Sequence, residues 1–304
     1  MRVFVTGASG FIGSHVVRTL QRQSCEVGIL ASPQKPLTRL QDIAPQLFQI
    51  TGRLADLATQ LDTLREFAPE VCIHCAWYAE PGKYLTSPLN TDYVTDSLKL
   101  IELLSQVGCS HVVMVGTCAE YDASIGYFDE NSPTRPETLY AACKLATALM
   151  GPFVASQHDI TFTWARLFYQ FGPYEDDRRV VPALIKAMLR GNEFAATPGE
   201  QIRDYLHVED VASGLCALAM QRASGIYNIA SGVPITIHDL MSTIQALCGQ
   251  KDLVKFGALP YAAWEPRSIY GSNGKLRALG WTPSYSLQQG LMQTIEWWQQ
   301  QTEN

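Results

Sequence analysis

Charge is sparse in this chain. Asp, Glu, Lys and Arg make up 17% of the 304 residues, and the net charge is −6. No basic stripe is present, which excludes a sequence-independent nucleic-acid binder. Any anionic ligand must therefore be met by a few local cations. No run of about 18 apolar residues stands out, so no membrane span and no membrane partner are expected. Val3-Phe4-Val5 opens the chain with no basic segment and apolar core before it, so no secretory signal is expected and the expected location is cytoplasmic. Repeats, linkers and low-complexity tracts are also lacking. The eight cysteines form no framework; they are scattered through mostly apolar runs and read as reduced thiols acting as small hydrophobes. Cys72-Ile73-His74-Cys75 is a C-x-x-C, but residues three apart on a strand point to opposite faces. Neither a metal nor a disulfide is expected there, and no metal site is expected elsewhere.

What is present is a rhythm. Strands are expected at Val3–Thr6, Glu26–Ala31, Leu47–Thr51, Val71–Cys75, His111–Gly116 and Ile160–Arg166. Helices are expected at Phe11–Gln23, Leu89–Val107 and Leu139–Gln157, the second with Leu98, Ile101, Leu104 and Val107 on one stripe. Such alternation implies a doubly wound parallel sheet with helices on both faces. After Phe171-Gly172-Pro173 the rhythm loosens, with one more helix over Val180–Arg190. Residues 1–167, joined by 207–230, are expected to form the sheet domain; 168–206 and 231–304 are expected to form a small α+β substrate lobe. The tryptophans of Ile295-Glu296-Trp297-Trp298 are read as packing.

Two motifs carry chemistry. Gly7, Gly10 and Gly13 follow a strand and open a helix, in Thr6-Gly7-Ala8-Ser9-Gly10-Phe11-Ile12-Gly13. Glycine there lets the backbone turn tightly and approach a diphosphate, and the helix N-terminus adds partial positive charge. Tyr140 and Lys144, in Leu139-Tyr140-Ala141-Ala142-Cys143-Lys144, lie four apart and share one helix face. A free phenol has a pKa near about 10, and an adjacent ammonium lowers such a value by about 1–3 units. Lys144 is therefore expected to make Tyr140 a better acid and base.

The G-x-x-G-x-x-G spacing, the Tyr140/Lys144 pair and Thr117 in Val115-Gly116-Thr117-Cys118-Ala119-Glu120-Tyr121 together resemble the extended short-chain dehydrogenase/reductase superfamily, in its NAD-dependent epimerase/dehydratase-like branch acting on nucleoside-diphosphate sugars. Arg203 in Gly199-Glu200-Gln201-Ile202-Arg203-Asp204-Tyr205 and the stretch Lys275-Leu276-Arg277-Ala278-Leu279-Gly280-Trp281 extend the resemblance to the C-terminal third. The resemblance implies a modified Rossmann fold and a catalytic set of Thr117, Tyr140 and Lys144. It implies cofactor contacts from Gly7, Ser9, Gly10, Phe11, Ile12 and Gly13, then Ser32, Lys35, Arg39, Leu54 and Ala76, besides Tyr140 and Lys144. For substrate it implies Thr117, Cys118, Tyr169, Val181, Arg203 and Arg267, with Arg203 on the diphosphate. Several positions depart from the family pattern: Arg53 where many relatives have the Asp that meets adenine, Tyr93 and Tyr169 for Asn, and Asp122 for Gly.

Two departures narrow the reaction and the cofactor. Dehydratases of this branch carry an Asp-Glu pair directly after the Thr, where this chain has Cys118 and Ala119, so elimination is disfavoured. NAD-selective members end the second strand on an acid that binds the ribose 2′-hydroxyl. Here the segment is Ala31-Ser32-Pro33-Gln34-Lys35, with Arg39 beyond, which suits a 2′-phosphate; the alternative is that Lys35 and Arg39 are solvated loop charges. NADPH is the expected cofactor, with NAD possible. The expected activity is reduction of a nucleoside-diphosphate 4-keto-6-deoxysugar. One rival is a hexose 4-epimerase that retains NAD. Another is a non-catalytic dinucleotide sensor, which would have no need of a proton donor. His74 is read as a structural wall. The resemblance also suggests a homodimer through the helices at 89–107 and 139–157.

Overall fold

In the computed structural model, which describes residues 1–262 and 265–303, strands and helices alternate through the first half of the chain. They are β1 (Arg2–Thr6), α1 (Phe11–Arg22), β2 (Glu26–Ala31), β3 (Phe48–Thr51), α2 (Leu61–Phe67), β4 (Val71–His74), α3 (Leu89–Ser105), β5 (His111–Thr117), β6 (Tyr127–Phe128), α4 (Leu139–Ser156) and β7 (Thr161–Leu167). The remainder comprises β8 (Tyr169–Phe171), α5 (Val180–Leu189), β9 (Phe194–Ala195), β10 (Ile202–His207), α6 (Val208–Met220), β11 (Gly225–Ile229), β12 (Pro234–Thr236), α7 (Ile237–Leu247), β13 (Val254–Lys255), β14 (Ser268–Gly271), α8 (Gly274–Arg277) and α9 (Leu287–Glu303).

Seven strands form one parallel sheet in the order β11-β7-β5-β4-β1-β2-β3. Strand alternation divides its side chains between two cores. Val3, Val5, Val71 and Ile73 face α1 and α6, while Phe4 and Cys72 face α3 and α4. Cys75 packs on the first side, opposite Cys72, as the two-residue period requires. The stripe on α3 faces the sheet, with Ile101 and Leu104 fully buried. Strand order reverses between β1 and β4, so the carboxyl ends of those strands border the crevice where open α/β sheets take ligands.

A second sheet, β12-β10-β14-β6 with β8 against β10, caps that end of the first. Asp204 binds it together: its buried carboxylate accepts from the backbone N–H groups of Ser231 (2.7 Å) and Gly232 (3.0 Å). Beyond it, α5, α7 and α9 enclose a third core of Leu184, Ile185, Met188, Leu240 and Leu291, which also takes in Trp298. Leu276 and Trp281 bury against the main sheet's first core, with the Trp281 indole donating to the Ser213 hydroxyl at 2.9 Å.

One expectation needs correction. At 18 residues and a mean hydropathy of 1.3, α4 is long and apolar enough to cross a membrane by length and composition. Scattered Thr, Cys, Lys, Gly and Pro break up its apolar run in the sequence. In the fold this helix is a layer of the domain: Ala141, Cys143, Thr147, Ala148 and Ala155 face inward, and it carries Tyr140 and Lys144.

Candidate active site

The glycine turn comes first. Gly7 has φ +71°, a left-handed conformation, and a Cβ there would lie 2.6 Å from the Ala76 nitrogen. At Gly13 a Cβ would lie 2.2 Å from the Gly7 carbonyl oxygen. Only glycine lets β1, the turn and α1 approach this closely. Gly10 is the N-cap of α1 and has no side chain to cap it, so first-turn N–H groups are left for an anion. These features fit a dinucleotide diphosphate. Ala76 completes the crevice at the end of β4, its N–H pointing to the Thr6 hydroxyl at 3.4 Å.

Around the second strand the expected residues part company. Lys35 is exposed, in a turn closed by its N–H to the Ser32 carbonyl (3.2 Å). Arg39 is anchored: it donates to the Ser9 carbonyl (3.1 Å) and twice to that of Tyr174 (3.0 and 3.3 Å). The solvated-charge alternative therefore fails for Arg39, whose guanidinium sits against the glycine turn. Leu54 starts the short helical turn after β3 and packs on the second core.

Thr117 ends β5 and caps the single helical turn Cys118–Glu120, its hydroxyl accepting from the Ala119 N–H at 3.2 Å. Thr138 caps α4 by accepting from the Ala141 N–H at 3.2 Å, which puts Tyr140 in the first turn. The Thr117 side chain is near enough to the Tyr140 phenol to act on its protonation. Tyr84 packs edge-on against the Tyr140 ring at 4.9 Å, and Trp77 lies at 6.5 Å. One helical turn on, the Lys144 ammonium is buried; it donates to the Val115 carbonyl at 2.6 Å and stands 3.8 Å from the Trp77 ring centre.

The electrostatics correct an expectation. Tyr140 is not lowered by Lys144; burial, and then Tyr84, push its phenol above the ordinary value, with the Thr117 side chain opposing. Burial also pushes the Lys144 ammonium down, to about 7. Both groups lose water to an aromatic wall, and desolvation outweighs their mutual influence. His74 is fully partnered. Thr6 lies 2.6 Å from Nδ1 and Ser97 2.9 Å from Nε2, while the Ser97 hydroxyl donates to the Tyr93 carbonyl at 2.5 Å. This chain assigns the ring proton to Nε2.

On the opposite side of the crevice, Tyr169 and Tyr205 stand side by side in register, rings 5.5 Å apart. Arg203, two residues before Tyr205, is buried beneath them. It lies 5.5 Å from the Tyr169 ring and pairs with Glu265 at 3.2 Å. Arg267 contributes its carbonyl to the Ile202 N–H, and its side chain is exposed. Val181 is buried in the third core at the start of α5. Cys118 is also buried, its thiol pushed up to about 12 by desolvation, which leaves no thiolate nucleophile.

Sequence reasoning missed several residues of the crevice. Arg179, N-cap of α5, places its guanidinium 5.3 Å from the Tyr84 ring centre and so bridges toward Tyr140. Glu175 is drawn out of water, its carboxyl pushed up to about 8, and its Oε2 has no partner among the described residues. Trp77 had a signal, since it directly follows Ala76. Glu120 had one too, one residue beyond the dehydratase carboxylates, yet it points into the core toward Trp164 and Arg166.

With this geometry in view, the comparisons are consistent among themselves. Residues 3–230 match the model of the NAD dependent epimerase/dehydratase family. A dTDP-6-deoxy-L-talose 4-dehydrogenase (NAD(+)) of Aggregatibacter actinomycetemcomitans is 23% identical over 275 residues, covering 90% of this chain and 100% of the relative. The CDP-abequose synthase of Salmonella typhimurium strain LT2 is 24% identical, covering 97% of each chain. Among solved structures, the UDP-N-acetylglucosamine 4-epimerase of Methanobrevibacter ruminantium M1, in complex with UDP-N-acetylmuramic acid, superposes with a TM-score of 0.89 at 25% identity, over 99% of this chain and 98% of that one. With the family model spanning most of its length and the glycine turn, Thr117, Tyr140 and Lys144 set at the carboxyl-end side of the sheet, the chain belongs to the NAD dependent epimerase/dehydratase family and is an enzyme of the extended short-chain dehydrogenase/reductase type.

Proposed function

We propose that this enzyme reduces a nucleoside-diphosphate 4-keto-6-deoxysugar to the 4-hydroxy sugar, with NADPH preferred. The observation that carries the reading is the placement of Thr117 at the end of β5 and Tyr140 in the first turn of α4, one helical turn before the buried Lys144, in a site with no carboxylate at 118 or 119. Tyr140, held protonated, donates to the carbonyl oxygen. Thr117 fixes that oxygen's position, and Lys144 reaches the cofactor ribose. The nicotinamide, when bound, supplies the hydride. Arg203, beside the Tyr169 ring and paired with Glu265, and Arg179, beside the Tyr84 ring, are the cations assigned to the substrate diphosphate in this reading. Arg39, tied to Ser9, supports a 2′-phosphate at the end of β2, where Ala31 and Ser32 leave no acid to repel it.

The substrate lobe is read as 168–206 with 231–304, and a homodimer through α3 and α4 is supported by the bare face of α4. Leu149 (61% exposed), Met150 (48%) and Phe153 (74%) stand uncovered there. The test is a panel of nucleotide 4-keto-6-deoxysugars with NADPH, followed at the reduced-nicotinamide absorbance band. Oxidation of NADPH by one or more members supports the reading. Tightly retained NAD⁺ on purification, with interconversion of 4-hydroxy epimers and no net oxidation, would favour the 4-epimerase instead.

A further inference from the structure

We infer that Glu120 is a positioning residue for Thr117 and Lys144: its buried carboxylate fixes the Thr117 backbone and supplies a negative charge to the Lys144 ammonium across the shared Trp164 ring. The inference rests on the reading of Lys144 as a cofactor-holding group.

Glu120 has no exposed surface. Its Oε1 accepts the Thr117 N–H at 2.8 Å and the Trp164 indole N–H at 3.1 Å. Its Oε2 accepts from Trp164 at 3.0 Å and from Arg166 Nε at 2.7 Å. Every partner is a donor, which suits an ionised carboxylate; burial pushes the carboxyl up, and Arg166, the Thr117 N–H and Trp164 act against that. Gly116 makes the approach possible, since a Cβ there would lie 2.7 Å from Glu120 Oε1 and 2.2 Å from Trp164 Nε1. The carboxylate is therefore locked to β5 through Thr117. Lys144 is locked to the same strand two residues earlier, through the Val115 carbonyl.

Few groups near Lys144 can carry charge. Tyr140, on the same helix, keeps its proton. His74, at the end of β4, is pushed down to about 3 and is neutral. Cys75, just beyond it, is pushed up to about 12 and is a thiol. Arg166, on β7, pairs with Glu120 and lies 4.3 Å from the Tyr121 ring centre. Trp164 links Glu120 to the lysine: its indole N–H donates to both carboxylate oxygens and its ring centre lies 5.9 Å from the Lys144 ammonium, and Glu120 acts to raise Lys144. Trp77, over the ammonium, adds a cation–π attraction.

The test measures NADPH and NADH binding by nicotinamide fluorescence from pH 5 to 9. The proteins are wild type, Glu120→Gln, and Glu120→Gln/Arg166→Met, the last relieving the buried arginine left unpaired by the first. Binding by the ammonium fails above the pH at which Lys144 loses its proton. Removal of a nearby opposite charge is expected to move that limb down by about one unit or more. Above both limbs the variants then bind about tenfold more weakly, while at pH 5 they approach wild type. Parallel binding curves, with the limb unmoved and only thermal stability lowered, would overturn the inference and leave Glu120 a structural residue. A shifted limb without reduction of any 4-ketosugar would sink the proposed activity and keep this inference.

Discussion

His207 gives the structure a proton-linked weakness that can be removed without losing a hydrogen bond. Its ring is buried, 5.5 Å from Phe171 and 4.3 Å from Tyr285 by ring centres, and neither nitrogen has a hydrogen-bond partner among the described residues. Desolvation pushes it down from 6.5 to about 4, against the pull of Glu209 and aided by His15. The unfolded chain therefore takes up a proton here below pH 6.5, while the folded chain does not until near pH 4. Stability is unaffected above pH 6.5 and falls as the pH drops through that window, by about 1.36 kcal/mol per unit. By pH 5 this one group has cost roughly 2 kcal/mol.

His207→Phe is expected to abolish that share. Urea unfolding at pH 7 and pH 5, followed by far-UV circular dichroism, gives the loss for each protein, and the variant should lose about 2 kcal/mol less than wild type. At an m-value of about 3 kcal/mol/M, the difference is roughly 0.7 M in midpoint. Packing is tight, since a Cβ on Gly290 would lie 3.1 Å from His207 Cδ2, so the larger ring carries its own cost. That cost is the same at both pH values and cancels. So do the other titrations, including Glu175, whose raised carboxyl acts in the opposite sense. An identical loss in the two proteins would refute the reasoning and show that His207 is protonated, or hydrated, in the folded state.

Tyr140→Phe keeps the ring and removes the proton, so turnover is expected to fall about 10²–10⁴-fold with substrate binding retained, measured by steady-state kinetics on the ketosugar. Arg203→Ala is expected to raise KM with little change in kcat, because a diphosphate contact is made equally in ground and transition states. Ala31→Asp is expected to reverse or erase a preference for NADPH, seen as the ratio of kcat/KM for the two dinucleotides. Equal use of both by the wild type would show that neither Lys35 nor Arg39 reads a 2′-phosphate.

The main sheet and the glycine turn were legible in the sequence because their signals are local. Period-two apolar runs define β1, β4 and β5, and the bare positions 7, 10 and 13 define the turn that only glycine can make. Helix ends moved by a residue or two; α3, for instance, stops at Ser105 and not Val107. The second sheet was not legible. Its strands β6, β8, β12 and β14 are two to four residues long, and they pair with or through β10 across large sequence separations. The same cause hid the site's supporting residues. Glu120 reads as one more polar residue until β7 brings Trp164 and Arg166 onto it from more than 40 positions away. For Arg39 the sequence left a 2′-phosphate contact and a solvated loop charge open, and its anchoring on the Tyr174 carbonyl, 135 residues on, was out of reach.

The protonation of the catalytic pair also had to come from the fold, and it bears on the direction of the reaction. Spacing alone places an ammonium beside a phenol and leads to the expectation of a lowered tyrosine. The structure places Trp77, Tyr84 and Trp164 around the pair, and loss of water then disfavours the charged form of each group. A phenol raised above its ordinary value carries its proton throughout the neutral range. In that state it is ready to donate to a carbonyl oxygen and is a poor base toward an alcohol. With cofactor saturating, reduction should therefore lose no rate to deprotonation of Tyr140 across neutral pH, while oxidation of the 4-hydroxy product should need alkaline solution. Any group that lowered Tyr140 would narrow this asymmetry. The Thr117 side chain acts on Tyr140 in that direction, and burial outweighs it.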